Sequence, residues 1–279
     1  MGGTLDTARS QILQQQLAWA AARRIAVDPK GYTNALEDNL FQPLSPATRA
    51  DFVAGSGDEL GTASRKGKML ALHSSSALAC NVFDYWRTRD LRSVSSALGL
   101  GGPASDLRFE AKFPTGLDGM PPNLDIALQA GGATVAIECK FTEPYGASKA
   151  AEPFKAKYFS ADRALWRERS LPACQQLAEN LQKGAAQFQH LNAAQLLKQV
   201  LGLAQPRVGA FMLVYLWYAL PGAESEAHAA DLAAFASAIG TEFQFRPVTF
   251  QALFGKMRET LKPEDAPWAA YLSSRYFGG

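Results

Sequence analysis

The sequence predicts an α/β protein, with a mixed central β-sheet flanked by helices and a helical lobe at its N-terminal side. Three observations lead there. Up to about residue 100, apolar residues recur at helical spacing with little strand-like alternation. Two apolar arms then meet at Gly131-Gly132, a hairpin signal, because tight two-residue turns need positive φ at both central positions. Beyond the hairpin, helical and strand patterns take turns, so the order reads helices, three strands, helix, strand, helix, strand.

The elements follow in order. Residues 5–26 form an amphipathic helix with Ile12, Leu13, Leu17, Trp19 and Ala20 on its apolar face, and Arg23 and Arg24 near the negative end of its dipole. Asp28-Pro-Lys-Gly31 stops it, a short helix at 33–40 carries Glu37, and Pro43 and Pro46 bound another turn of helix reaching Val53. Residues 55–61 (G-S-G-D-E-L-G) make a loop with two acids, Asp58 and Glu59, ahead of the basic cluster Arg65, Lys66 and Lys68. Residues 72–86 read as a serine-capped, buried helix. Its His73 is read first as an ordinary helix-start hydrogen bonder and only second as a catalytic group. Gly- and Ser-rich residues 95–105 link the lobe to a strand at 107–113.

After the hairpin, residues 143–162 are polar, with Lys149, Lys155, Lys157 and Arg163 spread among Tyr145, Phe154, Tyr158 and Phe159. Such a segment suits an ordinary surface loop or a track for a phosphate backbone. A long helix at 173–203 is broken near Gly184. A strand at 208–218, a helix at 224–239, a strand at 242–250 and closing helices at 253–261 and 268–276 complete the chain. The expected organisation is one domain over 1–279: a helical lobe to 104, an α/β core at 105–250 and C-terminal helices at 251–279.

Composition narrows the function classes. An apolar share of 47% and a charged share of 19% describe a globular chain without a disorder signature. A net charge of +2 means that any affinity for nucleic acid must come from a local basic patch. Cys80, Cys139 and Cys174 lie far apart, which fits a reducing cytoplasm better than a disulfide scaffold. Asp6 and Arg9 precede any apolar run, so no signal peptide is expected, and no stretch suffices for a membrane helix. Zinc motifs, phosphate-binding P-loops and serine-hydrolase elbows are not found.

The candidate chemistry lies on the hairpin arms. With Gly131-Gly132 as the turn, Ala130 pairs with Ala133, and counting outward sets Asp125 opposite Glu138. Lys140 shares the face of Glu138, while Val135, Ile137, Cys139 and Phe141 face a core. Two carboxylates opposed across a ladder repel each other, which makes sense if a divalent metal sits between them. The acid-x-Lys string itself occurs three times, at Asp28-Pro-Lys30, Glu110-Ala-Lys112 and Glu138-Cys-Lys140. Only the third has an acid placed across a hairpin. The plain alternative is a solvated salt-bridge group on an exposed sheet face. On the site reading, Asp125 and Glu138 hold Mg²⁺ or Mn²⁺, the Cys139 carbonyl adds a ligand, and Lys140 orients or deprotonates the attacking water.

These residues resemble the PD-(D/E)XK nuclease superfamily, of restriction-endonuclease-like fold. The matching elements are Pro122-Asn-Leu-Asp125, Glu138-Cys-Lys140 and Gln195-Leu-Leu-Lys198, across a core of about residues 107–218. The lobe, with Gly57-Asp-Glu59-Leu and His73-Ser-Ser-Ser-Ala-Leu-Ala-Cys-Asn81, is similar to a poorly characterised bacterial branch. Leucine, not proline, precedes Asp125. The resemblance implies metal-dependent cleavage of DNA, a catalytic set of Asp125, Glu138, Lys140 and Gln195, and a further glutamate ligand at Glu59 or Glu37. RNA as substrate, a homodimer, and a nucleic-acid-binding protein that kept the fold without catalysis stay open.

Overall fold

The computed structural model describes residues 7–55, 57–62, 64–146, 153–160 and 163–278. Leu5, Asp6, Ser56 and Lys149, named above, lie outside the described residues.

Helix α1 (Ala8–Ala22) starts where the Thr7 hydroxyl accepts the Ser10 N–H, and it ends short of residue 26 because Arg24 takes φ 57°. Its buried face carries Ile12, Gln16, Trp19 and Ala20, whereas Leu17 is 40% exposed. A glutamine displaces a leucine from the core because Gln16 exchanges hydrogen bonds with buried Arg275. Residues 33–40 supply only a single 3₁₀ turn, Glu37–Asn39. Helix α2 (Pro46–Ala54) follows, capped by Ser45. The acidic loop leads into a small hairpin, β1 (Gly61–Thr62) with β2 (Arg65–Lys66). Helix α3 (Ser75–Phe83), capped by Ser74, is buried along nearly its whole length. The supposed linker at 95–105 is partly helical, as α4 (Arg92–Ala97).

Strands β3 (Ala104–Lys112), β4 (Asn123–Ala130) and β5 (Ala133–Lys140) form an antiparallel meander. Gly131 and Gly132, at φ 58° and 79°, make the turn between the last two. The long helix expected at 173–203 is two helices, α5 (Pro172–Gln182) and α6 (Ala193–Leu203). Gly184 at φ 71° ends the first turn of the break, and Asn192 caps the second helix only ten residues after Gln182. Then come β6 (Phe211–Trp217), α7 (Ala223–Ile239), β7 (Gln244–Thr249), α8 (Phe250–Arg258) and α9 (Ala266–Leu272).

The sheet runs β3-β4-β5-β6-β7, antiparallel as far as β5 and parallel from β5 to β7. Parallel neighbours require crossovers, and α5 with α6, and then α7, supply them. This is the mixed sheet flanked by helices that the sequence predicts, a restriction-endonuclease-like α/β architecture. Helices cover it thoroughly enough that Ala136, Ile137, Glu138 and Cys139 are all buried. Strand β5 therefore has no solvated face. One apolar cluster draws together side chains from α1, α3, the sheet, α6 and α9.

Candidate active site

The hairpin register runs from Ala130–Ala133 to Ile126–Ile137, and the next step sets Asp125 against Glu138. There the Asp125 Oδ2 accepts the Cys139 N–H at 2.6 Å. On the other side of β4, the pairs Phe109–Ile126 and Ala111–Leu124 bracket Glu110 and Asp125. Glu110, Asp125 and Glu138 thus form one row of carboxylates across three strands, and Glu138 pairs onward with Tyr215. Like charges in neighbouring strands oppose pairing. Glu110 also holds φ 48°, a left-handed conformation that costs a non-glycine residue about 1–2 kcal/mol.

Lys140 and helix α6 compensate the Glu138 end of this row. Lys140 Nζ lies 2.5 Å from Glu138 Oε1, and Gln195 Nε2 donates to the same oxygen at 2.8 Å. Lys140 also donates to Gln195 Oε1 at 3.2 Å. One turn later, Gln199 Nε2 donates to Glu138 Oε2 at 2.5 Å and to the Asn123 carbonyl at 2.8 Å. Asn123 Nδ2 donates in turn to Glu110 Oε2 at 2.6 Å. Glu138 is only 3% exposed, so the plain alternative of a solvated surface pair does not describe it.

Charge balance explains the titration of the group. Burial, and then the Glu138 charge, push the Asp125 carboxyl well above the usual carboxylate range. Burial raises Glu110 too, against its bond from Asn123, with Glu59 and Glu138 adding to the rise. Burial alone would lower Lys140, but Glu138 foremost, then Glu143, hold its ammonium above the ordinary lysine value. So held, Lys140 donates hydrogen bonds to Glu138 and Gln195.

The remaining candidates are scattered. Glu59 ion-pairs with Lys68 at 3.4 Å and lies close enough to Glu110 for its charge to be felt there. Glu37 is exposed on its 3₁₀ turn. The Cys139 side chain is buried in the core, where burial raises its thiol, so only its backbone faces the row. His73 stands edge-on to Tyr32 at 6.4 Å, with burial lowering its imidazole. Tyr145, Phe154 and Tyr158 are buried, and the last two pack on Trp166, so they offer no stacking platform to a base. Two participants escape the sequence reading, Glu110 and Gln199. Gln199 follows Gln195 by four residues, a spacing that puts both on one helix face and could have flagged it. Glu110 needed the register of β3, which its positive φ obscures.

The site opens on a cleft of about 930 Å³ whose lining includes Lys140, Glu143, Gln195, Lys198 and Tyr215. A family model described as "restriction endonuclease associating with ARP" matches residues 13–277. The chain belongs to that family. The match takes in the lobe, the sheet and the closing helices, so every candidate site residue of this restriction-endonuclease family member falls inside it. No curated protein and no solved structure matches the chain.

The donor chemistry suits a hard divalent cation. It is all oxygen, it carries more negative than positive charge, and the buried Asn123 Oδ1 and Gln199 Oε1 have no hydrogen-bond partner. Among the described residues, no three Asp, Glu, His or Cys side chains converge as a ready ligand set. Both Glu138 oxygens are engaged by Lys140, Gln195 and Gln199, so holding an ion there means exchanging some of those bonds. No described helix is long and apolar enough to cross a membrane.

Proposed function

We propose that the protein is a metal-dependent endonuclease of the PD-(D/E)XK type that hydrolyses phosphodiester bonds in DNA. The observation that carries this reading is the buried Asp125–Glu138–Lys140 group, rich in carboxylate, whose Lys140 lines a cleft. Asp125 and Glu138 would hold Mg²⁺ or Mn²⁺, with the Cys139 carbonyl within reach along β5 and Glu110 as the nearest further acid. Bound there, the ion would neutralise charge building on the phosphate and acidify a water. Lys140, kept protonated by its acidic neighbours, orients that water or the phosphate oxygen by donating to it. Gln195 holds both Lys140 and Glu138, which fixes the lysine's reach. Glu59 belongs to an outer ring through Glu110 and Lys68.

A nicking assay with Mg²⁺ or Mn²⁺ on plasmid, single-stranded DNA and RNA tests the reading, alongside calorimetric metal titration. Wild-type protein should nick DNA and lose activity to chelator. Asp125→Asn should lose metal affinity and cleavage, yet melt at the same or a higher temperature in chelator, because it removes a charge that burial and Glu138 disfavour. Protein inert on all three substrates and without metal affinity would overturn the proposal.

A further inference from the structure

On the cleft wall beyond Lys140, Lys198 supplies a second positive charge. Lys198 lies three residues past Gln195 on α6, hence about one turn along the same face, and both line the cleft with Lys140. The Lys198 ammonium is fixed there. It donates to the Pro153 carbonyl at 2.6 Å and sits over the Phe154 and Tyr158 rings at 5.1 and 5.8 Å. Lys157 lies over the same Tyr158 ring at 5.6 Å, and neighbouring Lys155 is exposed. Burial, then the charges of Lys155 and Lys157, make Lys198 less basic than an ordinary lysine. Like charges gathered on a rigid aromatic support repel, and a polyanion laid along them relieves the repulsion. The N-terminal turn of α6, at Asn192 to Gln195, lines the same cleft with the positive end of its dipole.

We infer that Lys198, Lys157 and Lys155 form a phosphate track that leads one nucleic-acid strand away from Lys140, gripping its backbone without reading its bases. The aromatic residues hold the lysines in place and do not stack on bases, since Phe154 and Tyr158 are buried. A lysine track of this kind selects for a continuous strand and not for a sequence. The inference rests on the nuclease reading, which places the cut bond beside Lys140.

The test is fluorescence anisotropy with a labelled single-stranded oligodeoxynucleotide and its duplex, in calcium, over roughly 50 to 200 mM salt. The plot of log affinity against log salt should lose about 0.7 of slope per lysine on the single strand in Lys198→Gln, and about twice that in the surface double variant K155Q/K157Q. A similar loss should appear on the duplex, and exposed Lys256→Gln on α8 should leave both slopes alone. Unchanged slopes in both track variants, or losses confined to the duplex, would overturn the track while leaving the nuclease reading standing. Wild-type protein that neither binds nor cuts either substrate would overturn both.

Discussion

One polar cluster is buried around Arg275 and another around Glu138. The Arg275 guanidinium donates to Gln16 Oε1 at 3.0 Å, to the Asn39 carbonyl at 2.8 Å and to the Tyr271 hydroxyl at 2.6 Å, and it also reaches Asn39 Oδ1. The Trp19 and Tyr276 rings take its faces at 4.1 and 4.7 Å. All of its recorded hydrogen bonds go to neutral oxygens, and the cage closes on itself. Around Glu138 the count runs the other way. Three carboxylates share a row, one lysine answers them, and two buried amide oxygens have no donor. A saturated buried network holds a fold together, whereas an unsaturated one at a cleft is equipped to take a ligand.

The largest expected effect breaks the unsaturated side. Lys140→Ala should lower turnover by about 10²- to 10⁴-fold. Because it removes one of the two donors on Glu138 Oε1 and leaves only Gln195 there, metal affinity measured by calorimetry should hold or rise. A parallel loss of metal affinity would mean that Lys140 props up the site and does not act in it. On the saturated side, Arg275→Ala strands buried acceptors on Gln16 and Asn39 and should cost roughly 3 kcal/mol or more in urea unfolding. Below its transition, the folded variant should bind metal as wild type does.

His228 sharpens the contrast from a third position. It is buried among aromatic rings, with Trp217 edge-on at 4.8 Å and Tyr215 at 5.5 Å. Burial, with the neighbouring His190 and Lys140 charges adding and Asp231 opposing, holds its imidazole down at about 4. The unfolded chain binds a proton near pH 6.5 that the folded chain refuses until about 4, so stability drains away as pH falls through that window. Expected losses are on the order of 2 kcal/mol. His228→Phe should flatten the decline between those pH values in denaturant titrations, and an unchanged decline would assign it to His73, whose imidazole burial also lowers.

What the sequence made legible was local. The Gly-Gly turn needs only two residues to announce it, and once it is placed, counting sets Asp125 against Glu138. The succession of helices and strands along the chain followed from the alternation of patterns. The burial of Glu138 was not legible, because it depends on helices packing both faces of β5, and periodicity within the strand cannot report that. Leu17 was placed on the buried face where Gln16 lies for the same reason, since the partner of Gln16 is 259 residues away. The 33–40 segment carried helical residues, yet Thr33 and Asn39 spend their hydrogen bonds on Leu70, Met69 and Ala71, which leaves room for a single turn.

The Arg275 cage also has a consequence in time. It joins residue 275 to residues 16, 39 and 72, contacts that span some two hundred residues or more of chain. Contacts of such long range form late, and during synthesis they wait for residue 275 to emerge from the ribosome. A nascent chain can already have folded the β4–β5 hairpin, whose partners are adjacent. The lobe that borders the Glu110 end of the carboxylate row is locked only when Arg275 arrives, so a truncated chain carries the acids without the frame that holds them.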